Sequence, residues 1–427
     1  MGWRDVVADV RPLRNTHFRR LWLAMIVTMV GAQLTVVAVP AQIYADTGSS
    51  AYVGLTGLFG LVPLVIFGLY GGALADHFDR RLLLIISTVG LIGSSALFWL
   101  QSAMGSNVWV LLTLFAVQQA FFAINSPTRT AVYPRLLSKD ELPAANNLSM
   151  LVFTAGAIAG PLVAGILIPF TGYTWLYAID TVTLFATLYA VVFLPKLPVE
   201  RTSDKVPGLR SVLDGFVYLR TQPVLLMSFV VDLIAMIFGM PRALYPEIAH
   251  LSFGGPSDGG MVFALLFAAI PAGSVIGGVL SGWISRVERQ GVAVLWCVAV
   301  WGIGMTLFGL TLPFADDAKT LMLVLGLIFQ MVAGAADVAS AALRQSILQS
   351  ATDDNVRGRL QGVFTVVVAG GPRIADVAHG AIAASIGTAA TTAGGGALVV
   401  VGVMACAVLV PVFVKYRVTH TAPTLAA

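Results

Sequence analysis

Ionisable side chains interrupt stretches of this chain that are otherwise apolar, among them Asp180, Asp232, Asp337, Arg373, Asp376 and His379. An ionised group at the centre of a hydrocarbon layer costs about 2.5–3.5 kcal/mol on insertion scales, so each is a candidate for handling protons or ligands. Asp232 lies near the middle of its run, where it could line a cavity. Arg373, Asp376 and His379 follow one another at i, i+3 and i+6, on one side of a helix. Asp376 or His379 could hold a proton whose affinity Arg373 sets. A structural ion pair beside a packed histidine fits the same spacing. Asp337 is close enough to the end of its run to reach water. Asp180 reads better as an interhelical hydrogen-bonding group. Gln33, Gln118 and Gln119 could bind a passing solute or join neighbouring helices. Arg242 and Glu247, among Pro241 and Pro246, fit either a gate or an interface anchor.

Other chemistries find little support. The five histidines are scattered and form no HExxH-like pair with acidic residues, so neither a metal site nor a membrane-embedded enzyme is expected. Cys297 and Cys406 both fall within apolar runs and imply no disulfide framework. No phosphate-cradling glycine loop occurs, so no cofactor is expected and the energy source should be an ion gradient.

What must position these groups is a set of membrane helices. Of 427 residues, 58% are hydrophobic and 11% charged, against a usual charged share of about a quarter. A soluble domain could not hide that much apolar surface, so lipid is the expected solvent. At about 20 residues per crossing the chain has room for twelve, and in lipid helices satisfy their own backbone groups. Apolar segments run at 18–43, 53–75, 82–103, 108–133, 144–170 and 173–195, then at 223–250, 259–284, 292–314, 319–345, 359–386 and 394–415. The expected organisation is a six-helix lobe over 1–195, a cytoplasmic linker over 196–222 and a second six-helix lobe with a short tail over 223–427. Within the linker, Leu209 to Leu219 could form an amphipathic surface helix.

Placing both termini in the cytoplasm puts 22 of the 25 Lys and Arg on that side, Arg129 and Arg344 included. The net charge of +4 is therefore read as positive-inside bias and not as a nucleic-acid surface. The first apolar run is expected to be retained as a span, since no convincing cleavage site follows it.

The two halves repeat. Gly71-Gly72-Ala73-Leu74-Ala75-Asp76, followed by Arg80 and Arg81, returns in worn form as Gly277-Gly278-Val279-Leu280-Ser281-Gly282. Arg129 and Arg344 lie 215 residues apart, each followed by similar turn residues. Duplicated membrane units of this kind build alternating-access carriers. Gly68 with Gly72, Gly273 with Gly277 and Gly278 with Gly282 have the small-xxx-small spacing that lets helices approach closely. Asp76, at a helix end, could accept hydrogen bonds from the first amides of a neighbouring helix. Arg80 and Arg81 could snorkel to headgroups or pair with acidic residues.

Gly72-x-Leu74-Ala75-Asp76-x-x-x-Arg80-Arg81 resembles the signature turn of the major facilitator superfamily. Val37 to Ile43, Arg242 to Pro246, Ala269 to Gly273 and Arg357-Gly358-Arg359 are similar to its siderophore (enterobactin) exporter branch, close to macrolide and multidrug exporters. Gly156, Gly160, Pro161 and Gly165 resemble the glycine–proline motif of its proton-coupled antiporters. The resemblance implies an all-α integral membrane fold of twelve helices in two pseudo-symmetric bundles, and a secondary exporter driven by protons. It implies a small amphipathic substrate, a bacterial inner membrane, and a monomer in the bilayer with no nucleic-acid partner. It also implies that Gly72, Asp76, Arg80 and Arg81 form a conformational latch toward the start of the eleventh span. The fourth span departs from the pattern: Gln118 and Gln119 stand mid-span, where many relatives carry a buried arginine. A broad multidrug pump is the rival reading, and a nutrient sensor would need a long signalling extension.

Overall fold

The computed structural model describes residues 9–197, 217–350 and 354–417, without the side chains of 69–77, 285, 349–350 and 354–366. Among the described residues it consists of helices and turns, with no β-strand. The long helices are α1 (Thr16–Thr47), α2 (Ser50–His77), α3 (Arg80–Met104), α4 (Val108–Leu136), α5 (Leu142–Val192), α6 (Pro223–Gly239), α7 (Met261–Val279), α8 (Gln290–Thr311), α9 (Lys319–Ser350), α10 (Asp354–Ile386) and α11 (Thr388–Leu409). Short polar residues start several of them. Asn15 accepts from the amides of His17 and Phe18 at 3.0 and 3.1 Å, Asp79 from Arg81 at 2.8 Å, and Asn107 from Trp109 at 3.0 Å. Each cap satisfies amides that the helix itself cannot. At the far end of α1, Gly48 takes φ 63° and its N–H bonds the Tyr44 carbonyl, a turn open to glycine for want of a Cβ.

Ten helices among the described residues are long and apolar enough to cross a membrane. The expected segments 144–170 and 173–195 are merged in α5, whose 51 residues would extend about 75 Å if straight, more than twice a hydrocarbon core. Gly172, at φ 67° and ψ 179°, breaks it into two arms. The segment 223–250 is also divided: α6 ends at Gly239, and short turns of helix carry the chain through Arg242–Leu244 to Ser252. Helix α10 spans 33 residues but is not among the ten. The linker's suggested amphipathic helix lies almost wholly outside the described residues.

The chain packs into two compact units. The first holds Met1–Leu209 together with Arg242–Ala268 and Asp376–Ser385; the second holds Arg210–Pro241, Ala269–Ala375 and Ile386–Ala427. In the first, Leu21 and Ala24 of α1 pack with Leu84, Val132, Ala190 and Val191, while Phe18 packs with Tyr133, Leu137, Ala145 and Leu148. Lipid tails are as apolar as these side chains, so tightness of fit does more than exclusion of water. In the second unit, Gly273 and Gly277 bring α7 so near α9 that an added methyl would collide with the backbone of Met331 and Ala335. That bears out one of the three expected glycine pairs. A Cβ added at Gly68 or Gly278 would point into open space, with no heavy atom of the described residues within 4 Å.

Candidate functional site

The second unit carries a buried charge cluster on α6 and α9. Arg344 Nη1 pairs with Asp232 Oδ1, and Nη2 lies 4.0 Å from Asp337 Oδ1. The side chains of Arg344 and Asp232 are 6% and 3% exposed, that of Asp337 31%. Asp232 Oδ2 and Arg344 Nε are buried without a hydrogen-bond partner. Arg344 therefore corrects the positive-inside tally: it is no loop cation but a helix-buried guanidinium, retained there by a carboxylate. Sequence reading missed it as a site residue. The signal was the spacing of seven from Asp337, which puts both on one helix face two turns apart.

The equivalent arginine of the first half meets different chemistry. Arg129 donates from Nη2 to Asn125 Oδ1 at 2.9 Å, and the buried Asn125 amide donates in turn to Ser87 Oγ at 2.9 Å and Thr88 Oγ1 at 3.1 Å. Arg129 is half-buried, so this cation too sits within the protein rather than in a loop. The group that accepts its hydrogen bond is a neutral amide.

At the signature turn, the surroundings of Gly72 and the side chain of Asp76 lie outside what the structure describes. Arg80 donates to the Ala131 carbonyl on α4 at 2.8 Å and Arg81 to the Val192 carbonyl ending α5 at 2.6 Å. These bonds satisfy helix carbonyls and tie α3 to its neighbours. The glycine–proline segment presses on α1: a methyl at Gly156 would collide with Met29 and one at Gly160 with the stem of Gln33. Gly165 lies against Ala264 and Gly260 at the start of α7, and Pro161 is buried. Two predictions made separately, Gln33 and the Gly156–Gly165 motif, thus meet at one helix crossing.

Gln118 and Gln119 are half-buried in α4. Asp376 and His379 are buried in α10 and Arg373 is half-buried. The Asp376 carbonyl lies 2.6 Å from where a Cβ on Gly54 of α2 would stand. Asp180 accepts from Thr35 at 2.7 Å and Ser95 at 2.9 Å, the interhelical bonding expected of it. At the end of α1 and α2 away from the N-terminus, Ser50 Oγ donates to Glu247, Tyr173 donates to the Asp258 carbonyl at 2.6 Å, and the Tyr44 ring stands edge-on to His250. Arg242 lies over the Phe267 ring at 5.9 Å. The two cysteine thiols are free and buried.

A family model described as Major Facilitator Superfamily matches residues 21–375. The chain belongs to the major facilitator superfamily. Among curated proteins, the enterobactin exporter EntS of Shigella boydii serotype 18 is 29% identical over 412 residues, 93% of each chain. Among solved structures, a D-xylose–proton symporter is similar at a TM-score of 0.72 and 12% identity, covering 92% of this chain and 97% of its own. The nucleoside transporter NupG is similar at 0.71 and 12%, covering 93% and 99%. At such identities these structures speak for the fold alone. The protein is a multi-pass membrane transporter of the secondary class, acting on small molecules, and not an enzyme.

Proposed function

We propose that this transporter exports an enterobactin-like siderophore, or a similar amphipathic small molecule, from the cytoplasm of a bacterium by proton-driven alternating access. The observation that carries this reading is the 29% identity to an enterobactin exporter across 93% of both chains. In this reading the chain crosses the inner membrane twelve times with both termini inside, as two six-helix lobes over 1–195 and 223–427. The contacts of Ser50 with Glu247 and of Tyr173 with Asp258 then form the outer gate in its shut state. In this reading Gln33, held against Gly160, is a substrate-binding residue, and the charged groups on α6, α9 and α10 are the proton sites.

Asp76 acts as the latch on the cytoplasmic side. Charge-assisted hydrogen bonds of about 1.5–3 kcal/mol shift a two-state ratio roughly tenfold or more. Asp76→Asn should lower transport while leaving membrane abundance unchanged, and undiminished efflux by that variant would remove the latch.

The decisive experiment uses sealed vesicles under an imposed pH gradient, comparing enterobactin with ethidium as transported solutes. Enterobactin accumulation that collapses with the gradient supports the reading. Ethidium movement without enterobactin movement favours a broad multidrug pump instead.

A further inference from the structure

We propose that the corner where α1, α3 and α5 meet is a binding site for an anionic phospholipid. Arg20, Arg81 and Lys196 hold its phosphate, and the rings of Tyr189 and Phe193 take its chains. This goes beyond the exporter reading and needs neither its substrate nor its coupling ion.

Three helix ends build the corner: α1 begins at Thr16, α3 begins at Arg80, and α5 ends at Val192. Leu21 of α1, Leu84 of α3 and Val191 of α5 pack together there with Leu194 and Leu197. The cations flanking these apolar residues are drawn to the same place. The Arg20 guanidinium lies over the Phe193 ring, 5.7 Å from its centroid. Arg81 Nη2 donates to the Val192 carbonyl at 2.6 Å. Two guanidinium groups thus converge on consecutive residues where α5 stops, and the exposed Lys196 follows three residues later.

This positive charge is uncompensated. Arg20, Arg81 and Lys196 form no ion pair among the described residues. Asp79, just before α3, accepts from the amides of Arg81 and Leu82 at 2.8 and 3.4 Å. Its carboxylate is thus engaged in capping the helix. Arg81 Nε is buried and has no hydrogen-bond partner. A guanidinium with unused donors in a planar fork suits a phosphate, which accepts two N–H groups side by side.

The rest of the corner suits hydrocarbon chains. The rings of Tyr189 and Phe193 lie 4.8 Å apart, and both are exposed. Leu82 and Ile86 on α3 are exposed as well. In a membrane protein such side chains meet lipid, and a cation at a helix end reaches the headgroup level. A free phosphate ion would use the cations alone and leave the aromatic pair idle. A lipid of the surrounding leaflet covers both, and an anionic headgroup gains from each Lys or Arg nearby. A zwitterionic headgroup would bring an ammonium beside these cations, so the charge selects an anionic one.

The test uses purified full-length protein in detergent, with dioleoylphosphatidylglycerol, dioleoylphosphatidylcholine or inorganic phosphate added. Native mass spectrometry counts the retained lipid, and thermal unfolding reports the stabilisation it brings. The wild type should hold phosphatidylglycerol about tenfold more tightly than phosphatidylcholine, and phosphate should not displace it. Arg20→Gln combined with Lys196→Gln, which leaves the bond from Arg81 to Val192 in place, should abolish that preference. Tyr189→Ala keeps the cations and should weaken both lipids by similar factors. Arg286→Gln combined with Arg289→Gln removes the same charge from exposed positions of the second unit. That control should shift retention less than about twofold. An equal loss in the control would make the effect one of net charge and overturn the site. Preference persisting without Arg20 and Lys196 would overturn it too, as would displacement of the lipid by phosphate.

Discussion

The neighbourhoods of Arg129 and Arg344 are two editions of one place in a duplicated chain, and they have been finished differently. Around Arg129 the acceptor is a neutral amide, backed by two hydroxyls. Around Arg344 it is a carboxylate, with a second carboxylate nearby. The acceptors of a guanidinium held by an amide and hydroxyls do not themselves take up protons. One held by carboxylates sits among groups that can take a proton. Duplication supplied the frame, and divergence of the acceptors concentrated the titratable chemistry in the second half.

Breaking the second-half site should produce the largest effect. Arg344→Met leaves Asp232 buried without its counter-ion, and thermal unfolding in detergent should report a loss of about 3–5 kcal/mol. Adding Asp232→Leu should recover most of that loss, because an apolar pair of similar volume replaces a desolvated ion pair. A double variant as unstable as the single would mean that the pair is not the source of the effect.

The first-half site should break more gently. Arg129→Met removes a bond between a charged donor and a neutral amide, at a cost of about 1.5–3 kcal/mol by the same measurement. Asn125→Asp sharpens the contrast by giving Arg129 the carboxylate its counterpart has. Ser87 and Thr88 can turn to donate to it, so stability should change by about 1 kcal/mol or less, while transport gains no new pH dependence. The exposed pair Asp9–Arg11, at 2.7 Å, is the control in water. Hydrogen bonds from Arg11 hold the Asp9 carboxyl below its ordinary range. Whatever stability the pair adds is present above the ordinary carboxylate pKa and lost as pH falls through the lowered one. Asp9→Asn should leave the unfolding temperature unmoved, and NMR titration of Asp9 should show the lowered midpoint.

The fold was legible because lipid enforces helices of a set length. The apolar run at 18–43 became Thr16–Thr47, that at 108–133 became Val108–Leu136, and the gap between 170 and 173 coincides with the break at Gly172. Partnership was less legible. Spacing tells which residues share a face but not which face meets which helix. Gly273 and Gly277 therefore found α9 while Gly278, four residues before Gly282, faces open space. Arg344 was misread for a related reason: a cation near the end of an apolar run looks like a loop charge until the carboxylate waiting on α6 is seen. The juxtaposition of Gln33 with Gly160 needed α1 and α5 in register, which no local pattern encodes.

That Cys297 and Cys406 are both shielded has a practical side. They are the chain's full complement of thiols, so a reactive probe attached at an introduced position on a rim or loop would meet almost no background from the native protein. Pairs of such labels would let distances across the protein be followed through a transport cycle without first stripping the chain of its own sulfur.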